Sequence, residues 1–538
     1  MGRTLVYRFS QRLLHNVQMR TFLSGIILAA GAAQAGTTPI QSALDGEHFG
    51  LHPADKFRLE TGRCEGCGQP QALWYFQDDL VAMPTIGAGD APSLIWIGSP
   101  QLLPQAHYDG KSLRTADGAT LNLRLAPKIA TNRSYFNASS EAFFRQREVR
   151  VRGHWDEKSQ QFEARTIWPR DFVIDSGLPL QPLKGADNLQ GFVRHANGGA
   201  RSDFAVRKVW QRPGSSSSDL AGKPVMAIVL SGAQGDDDEA YGGHFAIATG
   251  KLGPKGEWSD WLVNNFYNLD SFSEKGIVAS AVPMDNYLMD LNSGQQYYRP
   301  SYMLVAVLDD ARTAEAFQRK VNQVYREFYA HHFSYKHAAD NCTGISVDVL
   351  RTLGWQWPFQ GPTNRLKAVG AFAYMGAKEM SLASGRKAYD YFTEEQTRLH
   401  PAVAFDALGK DLLALLDGQA GREPGGFERQ LQSDVAAVML VRIPQVPSSR
   451  AFGSAPAYSI DEFMERTPAD RSKWQVVPTE PRPFPEALMD AQARKNLRST
   501  AWPVVALLSA IAAIGTAWSW RRRQRSRADI AHPERLRA

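Results

Sequence analysis

The chain has 538 residues, 43% of them hydrophobic and 22% charged, with a mean hydropathy of −0.35 and a formal net charge of +6. At ~100–200 residues per domain this length predicts two or three domains, and the composition excludes both a polytopic membrane protein and a largely disordered one. The basic balance raises the question of nucleic acid, which the placement of the charges answers.

Residues 1–35 carry Arg3, Arg8, Arg12 and Arg20 and no acid. The apolar run Phe22 to Ala33 is short for a membrane span and ends in Ala33-Gln34-Ala35, so the segment reads as a signal peptide with a mature start at Gly36. At the other end, residues 501–520 contain no charge, include Trp502, Trp518 and Trp520, and precede the cluster Arg521-Arg522-Arg523-Gln524-Arg525-Ser526-Arg527. That length, those flanking aromatics and the basic cluster predict a single transmembrane helix with residues 521–538 as a cytoplasmic tail. The leader contributes +4 and the tail +5, which leaves −3 for residues 36–520. Nucleic acid thereby loses its compositional support, and the expected location is a bacterial inner membrane with the main body facing the periplasm.

From residue 36 to 185 short β-like runs alternate with Gly, Pro, Asn and Asp. Residues 148–153 and 162–167 both alternate with period 2 around a polar turn at 156–159, as a hairpin does. A small β-barrel or β-sandwich domain is expected here. Within it lie Cys64 and Cys67 in a C-x-x-C. The surrounding Gly62, Gly66, Gly68 and Pro70 mark a turn, favouring a structural disulfide, with metal or redox chemistry as the alternatives. Residues 186–222 read as a linker.

From residue 223 the pattern changes. Val225 to Leu230 is a buried strand, and an acidic run Asp236 to Glu239 follows. That run reads as a solvated loop, with a divalent-cation site shared with His244 as the weaker reading. Gly242-Gly243-His244 then opens a second strand, Trp261 to Tyr267 predicts a third and Tyr302 to Leu308 a fourth. Phe317, Val321, Val324 and Phe328 lie at helical spacing over 311–330. A further helix starts at Asp340 or Asn341 as N-cap, lines Ile345, Val349 and Leu353 on one face, and stops at Gly354. Residues 364–417 predict further helices. Residues 418–500 read as a looser juxtamembrane tether with one strand at 436–441.

Cys342 falls in the first turn of its helix. Unpaired N–H groups and the dipole stabilise a thiolate there and can serve an oxyanion, while a nearby His completes activation by taking the proton. His244 is the candidate base; His331, His332 and His337 compete for that role. A buried core cysteine and a structural histidine are the bland readings of the same residues.

The order Gly-His on a strand, further strands, then a helix opening Asn341-Cys342-Thr343 resembles the circularly permuted papain-like families, in which His precedes Cys. The stretch Tyr287 to Leu291, the long helix, Phe333-Ser334-Tyr335 and Asp340 to Ser346 is similar to the N-terminal domain of the bacterial lipoprotein intramolecular transacylases. Over residues 223–355 that resemblance implies an α+β permuted papain-like domain, with Cys342 as nucleophile and His244 as base. Asn264 or Asn265 would orient the imidazole. Period 2 puts these two on opposite faces, so only one can do so. Gly243, Tyr241 and Asn341 are expected around the substrate. No cofactor and no metal is expected. The implied activity is hydrolysis or acyl transfer on an amide or ester of a lipoprotein, lipid or cell-wall peptide. The rival readings are a catalytically silent scaffold of an envelope assembly and a thiol redox protein using Cys64 and Cys67.

Overall fold

The computed structural model describes residues 41–42, 49–53, 80–84, 94–126, 136–184, 188–214, 220–233, 242–266, 280–291, 293–329, 335–336, 338, 340–358, 360–362, 365–448 and 452–466. The expected leader, Cys64 and Cys67, the acidic run 236–239, Tyr241, His331, His332, His337 and the expected span 501–520 lie outside these residues. Among the described residues no helix is long and apolar enough to cross a membrane.

The first nine strands are β1 (Gln41–Ser42), β2 (Phe49–Pro53), β3 (Leu80–Pro84), β4 (Ile95–Gly98), β5 (Gln101–Tyr108), β6 (Ser112–Thr115), β7 (Thr120–Leu125), β8 (Glu148–Asp156) and β9 (Gln161–Pro169), with helix α1 (Ala138–Arg145) before β8. Strands β5, β6, β7, β9 and β8 pair in that order, and β8 pairs back onto β5, closing a small five-stranded barrel to which β1 adds at β5. The expected hairpin is β8–β9, with Val149 opposite Pro169 at one end and Asp156 opposite Gln161 at the turn.

Next come α2 (Leu189–Gly198), β10 (Ala205–Gln211), β11 (Pro224–Ser231), β12 (His244–Lys251), β13 (Leu262–Asn265), β14 (Ser280–Pro283), α3 (Met284–Met289), β15 (Ser301–Leu308) and α4 (Arg312–Tyr329). The chain continues with α5 (Cys342–Leu353), α6 (Arg365–Lys378), α7 (Leu382–Thr393), α8 (Gln396–Leu399), α9 (Pro401–Leu416), α10 (Gly426–Asp434), β16 (Val435–Ile443) and α11 (Ile460–Arg466). A ten-stranded sheet runs in the order β10-β16-β15-β11-β12-β13-β14-β4-β3-β2.

This sheet is the middle of three layers. Val225, Ala227, Val229, Ala246, Met303 and Val305 pack on the barrel side with Leu103, Val149 and Phe162. Met226, Ile228, Leu230, Phe245, Ile247 and Leu304 pack on the other side against α2, α4, α5 and α9. A strand covered on both faces has no polar side, which is why β11, β15 and β16 read as unbroken apolar runs although their pairing is antiparallel.

Three boundaries differ from the sequence reading. Strands β2 to β4 fall within the expected β-rich domain 36–185 yet belong to the large sheet. The stretch 186–222 read as a linker holds α2 and the edge strand β10. The stretch 418–500 read as a tether contains α10 and β16, and β16 lies inside the sheet between β10 and β15. Gly418, Gly421, Pro424, Pro444 and Pro447 lie outside these elements, while the nine residues of β16 are nearly all buried.

Buried ion pairs join barrel and sheet domain. Arg152 Nε lies 2.9 Å and Arg150 Nη1 3.1 Å from Asp285 Oδ2 on α3, and Arg165 pairs with Asp290. All five side chains are buried, so the barrel is fixed to the sheet domain by charge pairs that cross the interface.

Candidate active site

Helix α5 starts as its sequence demands. Asn341 is extended, and its Oδ1 accepts the N–H groups of Thr343 at 3.0 Å and Gly344 at 2.8 Å, satisfying two donors of the first turn. Its Nδ2 donates to Leu399 O of α8 at 3.0 Å, so the cap also fixes the helix against its neighbour. Gly354 ends the helix in the left-handed region at φ +105°. Cys342 is therefore held at the first helical position; it is buried and a free thiol. Asn341, expected near substrate, uses its amide oxygen and one Nδ2 donor in this structural work.

His244 is the first residue of β12, directly after Gly243 at φ +86°. A Cβ on Gly243 would stand 2.6 Å from Ser231 O and 2.7 Å from Pro456 Cβ. This glycine thus serves the turn and the packing of Pro456. His244 Nε2 lies 2.8 Å from Asn265 Oδ1. The amide oxygen only accepts, so Nε2 carries the proton and Nδ1 is left with the lone pair. Tyr287 of α3 packs against the ring, with centroids 6.2 Å apart.

The register of β12 and β13 separates the two candidate asparagines. Ile247 pairs with Asn264, which sets Asn265 opposite Ala246 and on the face that His244 uses. Asn264 points to the other face, where its Nδ2 donates to Gln318 Oε1 of α4 at 3.0 Å and Gln318 in turn donates to Asn322 at 3.0 Å. Asn264 supports the α4 contact, and Asn265 holds the histidine.

The Cys342 sulfur meets β12 at the peptide after His244, where the Phe245 backbone N–H donates to it. A strand N–H lies in the plane of its sheet, and β13 ends at Asn265. Cys342 packs in the helix-side cluster with Phe245 and Ile247, while His244 opens β12 on the face of Ala246 and Asn265.

Tyr335 is a residue that spacing did not single out as chemical. Its hydroxyl donates to the Cys342 sulfur and accepts from the Cys342 backbone N–H. The phenol oxygen thus occupies the position at which a helix-terminal N–H would meet an oxyanion. Burial pushes the Cys342 thiol above its ordinary range, opposed by the Phe245 N–H, the Tyr335 and Thr343 hydroxyls and the positive Arg299. Burial likewise holds Tyr335 well above the usual phenol range. A thiol of this kind rests protonated at neutral pH and needs a base to become a nucleophile.

Among the described residues no group of three or more His, Cys, Asp and Glu gathers as a metal site. No family model, no curated protein and no solved structure matches the chain.

Proposed function

We propose that the protein is a cysteine hydrolase or acyltransferase acting on an amide or ester, with Cys342 as nucleophile, His244 as general base and Asn265 as the residue that orients the imidazole. The observation that carries this reading is the His244 Nε2 to Asn265 Oδ1 bond at 2.8 Å, formed on a strand whose next N–H is donated to the Cys342 sulfur. That bond leaves Nδ1 as the ring nitrogen able to take the thiol's proton.

In the proposed reaction the Cys342 sulfur attacks a carbonyl carbon while its proton passes to His244 Nδ1. A C–S bond forms and the carbonyl oxygen becomes an oxyanion, taken up by the Cys342 N–H once the Tyr335 hydroxyl yields its place. The intermediate collapses with cleavage of the C–O or C–N bond, and the imidazolium protonates the leaving alkoxide or amine. The thioester then passes its acyl group to water or to an amine, with His244 taking the acceptor's proton. The order His before Cys, together with an antiparallel sheet followed by a helix that opens on the cysteine, supports a permuted papain-like domain. A signal peptide, a single span at 501–520 and a periplasmic body complete the proposal, with lipoprotein, lipid or cell-wall peptide as substrate class.

The test is acylation of the thiol by an activated long-chain thioester or ester probe. Mass spectrometry should find the acyl group on Cys342, and Cys342→Ser should abolish it. A Cys342 that stays unmodified in the folded protein would overturn the enzyme reading and leave the scaffold reading.

A further inference from the structure

Helices α6 and α7 form a hairpin that packs on itself, and neither packs substantially on any other element. Its base is closed by Gln396 N donating to Gln360 O at 3.1 Å and Gln396 Nε2 to Gly361 O at 3.1 Å. The base is bound to the cysteine helix by Arg351 of α5 on both oxygens of Glu395, and by Arg398 on Asp348 of α5.

The apolar residues of this hairpin are arranged inside out. The two helices meet at small residues: a Cβ on Gly385 would stand 2.7 Å from Phe372 O and 3.4 Å from Gly376 Cα. Large apolar side chains point to solvent instead, with Leu366 83%, Val369 58% and Tyr374 63% exposed along α6, and Met380 94% and Leu382 78% exposed at the tip. Close backbones with outward aliphatics suit a hydrocarbon or interfacial environment better than water. Met380 takes φ +49° at the turn, a conformation that favours glycine. A bulky apolar residue there opposes both local conformation and solvation, and such a conflict marks a functional position. Residues 365–393 carry Arg365, Lys367, Lys378, Arg386 and Lys387 against Glu379 and Asp390, so the hairpin is +3 while the rest of residues 36–520 is −6.

We propose that the α6–α7 hairpin docks on an anionic phospholipid surface, with Met380 and Leu382 entering the headgroup and acyl boundary and Lys378, Arg386 and Lys387 meeting lipid phosphates. The bonds from its base to α5 then set the orientation of the Cys342 helix relative to the bilayer. The inference does not depend on thiol chemistry, and it is independent of whether 501–520 spans a membrane.

The test uses the full chain with Cys64, Cys67 and Cys342 changed to Ser, bearing a fluorophore on Leu382→Cys or, as a control, on Lys158→Cys in the barrel hairpin. In vesicles containing phosphatidylglycerol and nitroxide-labelled lipid, the label at 382 should be quenched about threefold more than the label at 158, as an interfacial depth of ~5–10 Å implies. Lys378→Glu with Arg386→Glu and Lys387→Glu, or replacement of phosphatidylglycerol by phosphatidylcholine, should reduce the difference to near unity. Equal quenching at the two positions in anionic vesicles would overturn the proposal. So would an intermolecular disulfide between copies of the unlabelled Leu382→Cys variant, with no quenching of the labelled one, because the occupant would then be a second copy of the chain.

Discussion

The Asn265 amide oxygen holds the Nε2 proton of His244 at 2.8 Å from the last residue of β13. This single bond decides which ring nitrogen is basic. His244→Ala should lower the rate of Cys342 acylation by about 10²–10⁴, the range for loss of a general base. Asn265→Ala keeps the imidazole but frees its tautomer and rotation. Its loss should be about tenfold to a hundredfold, equivalent to one hydrogen bond to a charged group. Single-turnover acylation with an ester probe separates these effects, and Asn264→Ala should leave the rate within about twofold because that side chain serves Gln318.

The thiol predicts its own pH profile. Because burial raises the Cys342 pKa, alkylation by iodoacetamide should climb with pH through and beyond the ordinary thiol value of ~8.5, without a plateau at acid pH. The same shift affects stability. The folded protein keeps the proton that the unfolded chain loses near ~8.5, so this contribution is whole below that pH and declines as pH rises toward the folded pKa. Denaturant midpoints from pH 7 to 10 should therefore fall less steeply in Cys342→Ala than in the parent.

Tyr335 both donates to the sulfur and accepts from the Cys342 N–H. Tyr335→Phe removes a donor that favours the thiolate, so the alkylation profile should move to higher pH. An unchanged profile would mean that the hydroxyl does not act on the thiol.

How far the sequence carries is uneven, for physical reasons. The cysteine helix was legible because its signals are local: an Asn that caps two N–H groups, a glycine in the left-handed region, and apolar residues at helical spacing between them. The pair Asn264 and Asn265 was legible only as a pair. Choosing between them requires the register with β12 and the presence of Gln318 on α4, both non-local. Tyr335 lies in a stretch without periodicity, so its contact with the thiol was not legible from spacing. Strand β16 was recognisable as a strand, yet its insertion beside β15 depends on a pairing far along the chain. The same holds for β2 to β4, whose allegiance to the large sheet is set by tertiary pairing that period-2 alternation does not encode.

Asp285 faces Arg150 and Arg152 in the joint between barrel and sheet. Asp285→Ala removes the 2.9 Å partner of the buried Arg152 guanidinium and leaves it the more distant, exposed Asp260 at 3.8 Å, and should destabilise the protein by about 3–5 kcal/mol. Arg150 also pairs with the exposed Asp260, so Asp260→Ala should lose no more than about 1 kcal/mol, as exposed partners do. Urea unfolding of the two variants measures the contrast, and equal losses would contradict the assignment of the joint to Asp285.

His400 adjoins Leu399, whose carbonyl receives the Asn341 amide. Burial lowers the His400 pKa from 6.5 to about 4, with Glu462 acting weakly in the other direction. The folded protein therefore keeps this imidazole neutral while the unfolded chain protonates it below ~6.5. The resulting stability is complete above ~6.5 and is lost as pH falls toward about 4, to an extent of about 3 kcal/mol by linkage. His400→Phe keeps the ring volume and has no proton to take up, so the gap between its urea midpoint and the parent's should shift in the variant's favour from pH 7 to pH 4.5. Since α8 is tied to the cap of α5, the parent's Cys342 alkylation, normalised for thiol ionisation, should change over the same acid range. A constant gap between variant and parent across that range would show that His400 titrates normally.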